Sequence, residues 1–165
     1  MRKQFKNKQM KKDVVIFDLD GTLADIDARR TLATKEDGKM NWDVFFDPVN
    51  ISLDLPNVPV IEMARVLKAQ GFKIVIFSGR SKATKDATAA WLEKHEVPFD
   101  IMKMRPTGHP WAFMPDDKLK KGWFDDIFAG EEKDRVLCIF DDRTKVVNMW
   151  RENGLSCFQV APGDF

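Results

Sequence analysis

Two carboxylates at the end of one short apolar run, Asp18 and Asp20 in DVVIFDLDGTLAD (13–25), are the side chains best placed to do chemistry. Val14 to Phe17 reads as a strand buried on both faces. Side chains alternate along a strand and its extension, so Asp18 and Asp20 share a side. A carboxylate pair at the C-terminal end of a central parallel strand sits where open α/β sheets hold their sites. One carboxylate can attack an electrophile or hold a metal, and the other can manage protons.

Two further apolar runs end in polar residues. Ser78-Gly79-Arg80 follows the first and directly precedes a predicted helix, where backbone amides and a hydroxyl make a phosphate seat. A plain turn with an N-cap serine is the alternative. Asp141-Asp142-Arg143 ends the second run. Adjacent carboxylates repel unless a cation lies between them, and oxygen-only ligands suit Mg²⁺. Asp18 with Asp141 or Asp142 can therefore share an ion, unless Asp142 only caps the next helix. A phosphoryl-transfer site also needs a cation for its phosphate, and Lys118, Lys120 and Lys121 are the candidates. Arg29, Arg30 and Arg105 are guanidinium candidates for gripping phosphate oxygens. His95 and His109 stand apart from the acids and read as surface or capping residues. Trp91 and Trp150 read as core. Trp42, Trp111 and Trp123 lie in or beside loops, where stacking on a base competes with packing.

The elements that must position these residues alternate. Strands are expected at VVIFD (14–18), IVIFS (74–78), DIMKM (100–104), VLCIFD (136–141) and 156–160. Helices are expected at 58–70, 82–95, 117–128 and 144–152. That order predicts a three-layer α/β/α domain on a parallel sheet. Asp25 to Asn57 is longer than a plain crossover loop, which points to a functional segment and a lightly covered site.

At 165 residues, with 44% hydrophobic and 32% charged residues and a net charge of +1, the chain reads as one globular domain over 13–165. The near-neutral balance leaves only local patches to attract a polyanion. Residues 1–12 carry Arg2, Lys3, Lys6, Lys8, Lys11 and Lys12 with no acid, a solvated tail or a phosphate-backbone arm. Cys138 and Cys157, the two cysteines, are expected as buried free thiols in a reducing compartment. No apolar run approaches membrane-spanning length and no secretory signal is legible, so a cytoplasmic location with no membrane partner is expected.

In order, DLDGT (18–22), Ser78 before Gly79-Arg80, Lys120 and Asp141-Asp142 resemble the four motifs of the haloacid dehalogenase superfamily of phosphotransferases. FDLDGTLADIDARR and DDRTKVVNMWRENGLSCFQVAPGDF (141–165) are similar to the 3′-phosphatase domain of phage polynucleotide kinase-phosphatases. The resemblance covers nearly all of the chain from Val14. It implies a Rossmann-like sheet of strand order 5-4-1-2-3 with a small cap insert after strand 1, within 25–57. It implies Asp18 as nucleophile, forming a phospho-aspartyl intermediate, and Asp20 as acid and base, with a pKa brought nearer neutrality by a neighbouring like charge. Asp18, the backbone carbonyl of Asp20, and Asp141 or Asp142 would hold Mg²⁺. Ser78, Gly79 and Lys120 would hold the phosphoryl group. Thr22, Arg29, Arg80, Arg105 and Arg143 join the phosphate- or substrate-binding set.

On this resemblance the chain is a Mg²⁺-dependent phosphomonoesterase acting on 3′-phosphate ends of DNA or RNA. A separate kinase or ligase is a partner that the family suggests. No GxxxxGK[ST] motif occurs, so no 5′-kinase activity by that route is expected. Activity on a mononucleotide or another small phosphate ester is the alternative, and a non-catalytic nucleic-acid-binding module is the weaker one. Arg29→Ala and Arg80→Ala are expected to hurt polynucleotide substrates more than a small aryl phosphate.

Overall fold

The computed structural model describes residues 11–163; Arg2, Lys3, Lys6 and Lys8 of the basic tail lie outside the described residues. The first element among the described residues is strand β1 (Val14–Phe17), four residues with no solvent-facing side. Val15 and Phe17 enter one core and Val14 and Ile16 the other, as alternation requires of a central strand. Burying each such side chain stabilises the fold by about 1.5–3 kcal/mol, so this short strand anchors both layers.

An insert follows: β2 (Ala24–Asp25), three short helices α1 (Asp27–Ala33), α2 (Trp42–Phe45) and α3 (Pro48–Ser52), then β3 (Leu55–Pro56), antiparallel to β2. Asn41 caps α2 and Asp47 caps α3 through their side-chain oxygens. The remaining elements alternate as α4 (Val58–Ala69), β4 (Lys73–Ser81), α5 (Lys85–Lys94), β5 (Ile101–Arg105), α6 (Asp116–Ile127), β6 (Val136–Asp141), α7 (Thr144–Glu152) and β7 (Cys157–Gln159). The main sheet is parallel in the order β5-β4-β1-β6-β7. These labels depart from 5-4-1-2-3 because β2 and β3 belong to the insert. Counted over main-sheet strands alone, and from the β7 edge, the order is 5-4-1-2-3.

Helices α4 and α5 cover one face through Ile61, Ala64, Trp91 and Leu92. Helices α6 and α7 cover the other through Leu119, Trp123, Phe124, Val146, Val147 and Trp150. Trp91 and Trp150 are core, as expected, and so is Trp123, which packs edge-on to Phe77; it is not available to stack on a base. Cys138 and Cys157 are buried and free. Among the described residues no helix is long and apolar enough to cross a membrane.

One local expectation fails. Strand β4 does not stop at Ser78 but continues to Ser81 through a bulge, with Ser78 paired to Met104 and Ser81 to Arg105. A single 3₁₀ turn, Lys82–Thr84, then precedes α5. The Gly79 amide is therefore part of a strand bulge and not a helix N-terminus. The extra residues of a bulge re-aim a side chain, and here they turn Arg80 inward.

Candidate active site

The C-terminal ends of β1, β4 and β6 converge, and two clusters of charge form there. The first centres on Lys120. Its Nζ donates to Asp18 Oδ1 and to Asp141 Oδ2, each at 2.7 Å, and all three residues are buried. Lys118 is exposed and Lys121 pairs with Asp125, so only Lys120 of the three lysines reaches the site. Helical spacing explains this: Asp117 to Phe124 carries its apolar face at Leu119, Trp123 and Phe124, and Lys120 borders that face.

Asp18, Asp141 and Asp142 each offer an oxygen, all within 4.8 Å of one another. Asp142 does not cap α7; the Arg143 amide donates instead to Asp141 Oδ1 at 3.2 Å. Close approach of Asp142 depends on Gly21, whose φ is +86° and where a Cβ would lie 2.1 Å from Asp142 Oδ2. Burial, with the charges of Asp141 and Asp142, pushes the Asp18 carboxyl well above its ordinary range against the pull of Lys120. Burial and Asp141 likewise raise Asp142 to about 6. For Lys120 burial works against the charge, but Asp141 and Asp18 outweigh it and the ammonium is held firmly. Three buried carboxylates against one ammonium leave the cluster short of positive charge. Oxygen-only donors with that deficit fit a hard dication such as Mg²⁺.

The deficit has a sign that stability measurements can read. Asp142 ionises near 3.8 in an unfolded chain and at about 6 when folded. Below the lower value it is protonated in both states and costs nothing; as pH rises to about 6 the folded state loses stability relative to the unfolded one. The full penalty above that is on the order of 3 kcal/mol. Calorimetry should show Asp142→Asn raising Tm at pH 8 but not at pH 4. Adding Mg²⁺ at pH 8 should raise the wild-type Tm and leave the variant nearly unmoved.

The second cluster surrounds Asp20. Arg29 Nη2 donates to Asp20 Oδ1 at 2.8 Å and Arg80 Nε donates to the same oxygen at 2.7 Å. Both arginines also grip Asp54: Arg29 through Nε and Nη2 at 2.9 Å, Arg80 through Nη2 at 2.7 Å. Arg29 further donates to the Phe45 carbonyl and lies 4.3 Å over the Phe45 ring. Trp91 Nε1 donates to the Asp54 carbonyl at 2.8 Å. The pairing of Asp25 with Leu55 delivers Asp54 from the insert to this place.

Arg29 is 2% exposed and Arg80 0%, so neither is an open grip for a substrate's phosphates. Asp20 was expected beside a like charge, with a pKa near neutrality. Its partners are arginines instead. Burial pushes its carboxyl up, but Arg80 and Arg29 outweigh that and hold it below the ordinary range.

The remaining expected residues are placed as follows. Ser78 is fully buried and its Oγ accepts from the Arg80 amide at 3.2 Å inside the bulge. Thr22 is sealed from solvent; its carbonyl accepts from Asn57 Nδ2 at 2.9 Å, and its Oγ1 has no hydrogen-bond partner among the described residues. Arg105 is spent on the protein: it donates to the carbonyls of Gly79, Trp111 and Met114, and to Asp116 Oδ1. Asp116 Oδ2 accepts from Arg143 Nη1 at 2.6 Å. A Cβ on Gly79 would lie 2.8 Å from Asp116 Oδ1, so glycine lets α6 approach the bulge.

Sequence reasoning missed Asp54 and Asp116. Asp116 had a legible signal, one helical turn before Lys120 and on the same face. Asp54, a lone acid between leucines in LDL, had none.

The model of the polynucleotide kinase PNKP phosphatase domain, a haloacid dehalogenase family, matches residues 12–165. A chain from the Pnkp1/Rnl/Hen1 complex is 34% identical with a TM-score of 0.73, over 94% of this chain and 48% of that one. A protein inferred to be a bifunctional polynucleotide kinase/RNA ligase, from Autographa californica nuclear polyhedrosis virus, is 33% identical over 144 residues, which are 84% of this chain and 18% of that protein. D,D-heptose 1,7-bisphosphate phosphatase from B. bronchiseptica shares the fold, with a TM-score of 0.53 at 15% identity over 91% of this chain and 80% of that one. The present chain thus spans about half the length of its solved relative and less than a fifth of the viral one. A parallel sheet whose strand ends gather Asp18, Asp20, Lys120, Asp141 and Asp142, together with that match, makes this chain a phosphatase of the haloacid dehalogenase superfamily, in the family of the polynucleotide kinase PNKP phosphatase domain.

Proposed function

We propose that this phosphatase hydrolyses the 3′-phosphate at polynucleotide ends through a phospho-aspartyl intermediate. The observation that carries the reading is the buried Lys120 held between Asp18 and Asp141, one strand from the Asp20–arginine cluster. Asp18 attacks phosphorus in line; the P–O3′ bond breaks as the Asp18–phosphorus bond forms. Asp20 gives a proton to the departing 3′-oxygen, then takes one from the water that attacks phosphorus and frees inorganic phosphate and the Asp18 carboxylate. Arg29 and Arg80 aim Asp20 and favour its ionised form, which suits the second half-reaction. For the first, Asp20 takes a proton from solvent before the 3′-oxygen departs, and the proton it later removes from water restores the protonated form for the next cycle. Lys120 moves from Asp18 to the phosphoryl oxygens as charge develops there.

Asp18, the Asp20 carbonyl, Asp141 and Asp142 would hold Mg²⁺, which supplies charge neutralisation on the phosphoryl oxygens. The catalytic unit is residues 13–165, with 1–12 as a basic tail, acting in the cytoplasm. The assembly of one relative in a Pnkp1/Rnl/Hen1 complex supports work beside a separate ligase or kinase on a nucleic-acid end.

Phosphate release should be compared on a 3′-phosphorylated oligonucleotide, its 5′-phosphorylated twin and a 3′-mononucleotide, with and without Mg²⁺. Preference for the first by at least about tenfold in kcat/KM, dependent on Mg²⁺, is expected. Equal or better use of the mononucleotide would hand the function to small phosphate esters while leaving the chemistry intact.

A further inference from the structure

A groove runs over the free edge of the main sheet, beside the candidate site. It encloses about 330 Å³ and is lined by Lys82, Lys85, Met102, Lys103, Met104, Pro106 and Trp123. Strand β5 is its floor, and the strand's last residue, Arg105, pairs with Ser81 next to the bulge that carries Arg80. Lys103 lies two residues before Arg105, about 7 Å along the strand, so the groove runs toward the Gly79-Arg80 bulge, whose Arg80 reaches Asp20.

The charge of this groove has no internal partner. Lys82, Lys85 and Lys103 are exposed, and among the described residues none of the three is in an ion pair. Two of them occupy the 3₁₀ turn and the first residue of α5, a helix start, where positive charge is disfavoured; one acid, Asp86, shares that first turn. Local propensity and pairing thus work against three cations here, and a polyanion bound along the groove would reverse that cost. The floor is softer: Met102 and Met104 line it with thioethers, which adapt to varied partners, while Trp123 closes it from below as part of the core.

We infer that this edge groove is the track for the polynucleotide strand leading up to the 3′ end, with Lys82, Lys85 and Lys103 each neutralising a backbone phosphate. The inference rests on the polynucleotide reading above and assigns its selectivity to a surface outside the chemistry. Lysines on an edge strand have an ordinary alternative use, blocking edge-to-edge association.

The test is steady-state kinetics of the triple variant Lys82→Ala, Lys85→Ala, Lys103→Ala against wild type, on a 3′-phosphorylated twelve-nucleotide strand and on a 3′-mononucleotide, over a salt series. With the track, KM for the oligonucleotide rises roughly tenfold or more while mononucleotide kinetics stay within about twofold. The slope of log(kcat/KM) against log[salt] for the oligonucleotide becomes shallower by about 2, as expected for three single-strand phosphates. Unchanged oligonucleotide KM and salt slope in the variant, with wild type still preferring the oligonucleotide, would overturn the track and spare the functional reading. Self-association of that variant in sedimentation would then assign the lysines to edge protection. Wild type showing no oligonucleotide preference would overturn the reading itself, and the track with it.

Discussion

Asp18→Asn should lower phosphate release by at least about a thousandfold, about 4 kcal/mol of transition-state stabilisation, in steady-state assays on a 3′-phosphorylated oligonucleotide. The amide is nearly the same size but is not a nucleophile, so the loss reads out bond formation and not packing. Folding should survive, and even improve. Asp18 is one of three buried carboxylates balanced by one ammonium, and its own charge is opposed by burial and by Asp141 and Asp142. Removing it relieves that repulsion, so thermal melting without metal should show an equal or higher Tm beside the lost activity. A variant that melts normally yet turns over at a near-normal rate would eliminate Asp18 as nucleophile.

Asp54→Asn should be the most damaging change outside the reacting groups. Asp54 is 4% exposed and accepts from both Arg29 and Arg80. Neutralising it leaves two buried guanidiniums sharing the single carboxylate of Asp20. Breaking a buried ion pair in this way costs roughly 3–5 kcal/mol. At about 2–4 °C per kcal/mol for a domain of this size, Tm should fall by on the order of 10 °C. Activity measured well below the new Tm should drop about a hundredfold, because Asp20 loses its aim. The loss should be alike on an oligonucleotide and on a small alkyl phosphate, and Arg29→Ala and Arg80→Ala should share that indifference. This reverses the expectation drawn from sequence, in which the two arginines grip the polynucleotide. Losses confined to the oligonucleotide would restore the gripping role and contradict the buried network.

What was legible in the sequence followed from periodicity and chain order. Val14 to Phe17, Ile74 to Phe77 and Val136 to Phe140 are apolar without interruption, the pattern of parallel strands covered on both faces, and each became a main-sheet strand. Two of their polar ends, Asp18 and Asp141, share Lys120 because the C-terminal ends of neighbouring parallel strands lie together, while Ser78 is buried with its Oγ on the Arg80 amide. Lys120 was singled out from its neighbours only by resemblance; helical phase then placed it in the site while Lys118 faces solvent.

The illegible part is long-range pairing of charge. Nothing local in LDL marks Asp54 for a contact with Arg29, 25 residues away, or with Arg80, 26 residues away. The bulge at Gly79-Arg80 was hidden for a similar reason: SGRS reads as a turn into a helix, and only its pairing with Met104 and Arg105 keeps it extended. The protonation of Asp20 was misjudged because its partners come from the insert and the bulge, both set by tertiary structure.

The most direct test is a rapid-quench experiment on Asp20→Asn with 4-nitrophenyl phosphate. Its leaving group needs no proton, so phosphoryl transfer to Asp18 should remain fast while hydrolysis of the acyl phosphate loses its base. A burst of nitrophenol stoichiometric with protein should precede slow turnover, with phosphate located on Asp18 by peptide mapping. Linear product release from the first turnover, with no label on the protein, would contradict the phospho-aspartyl intermediate.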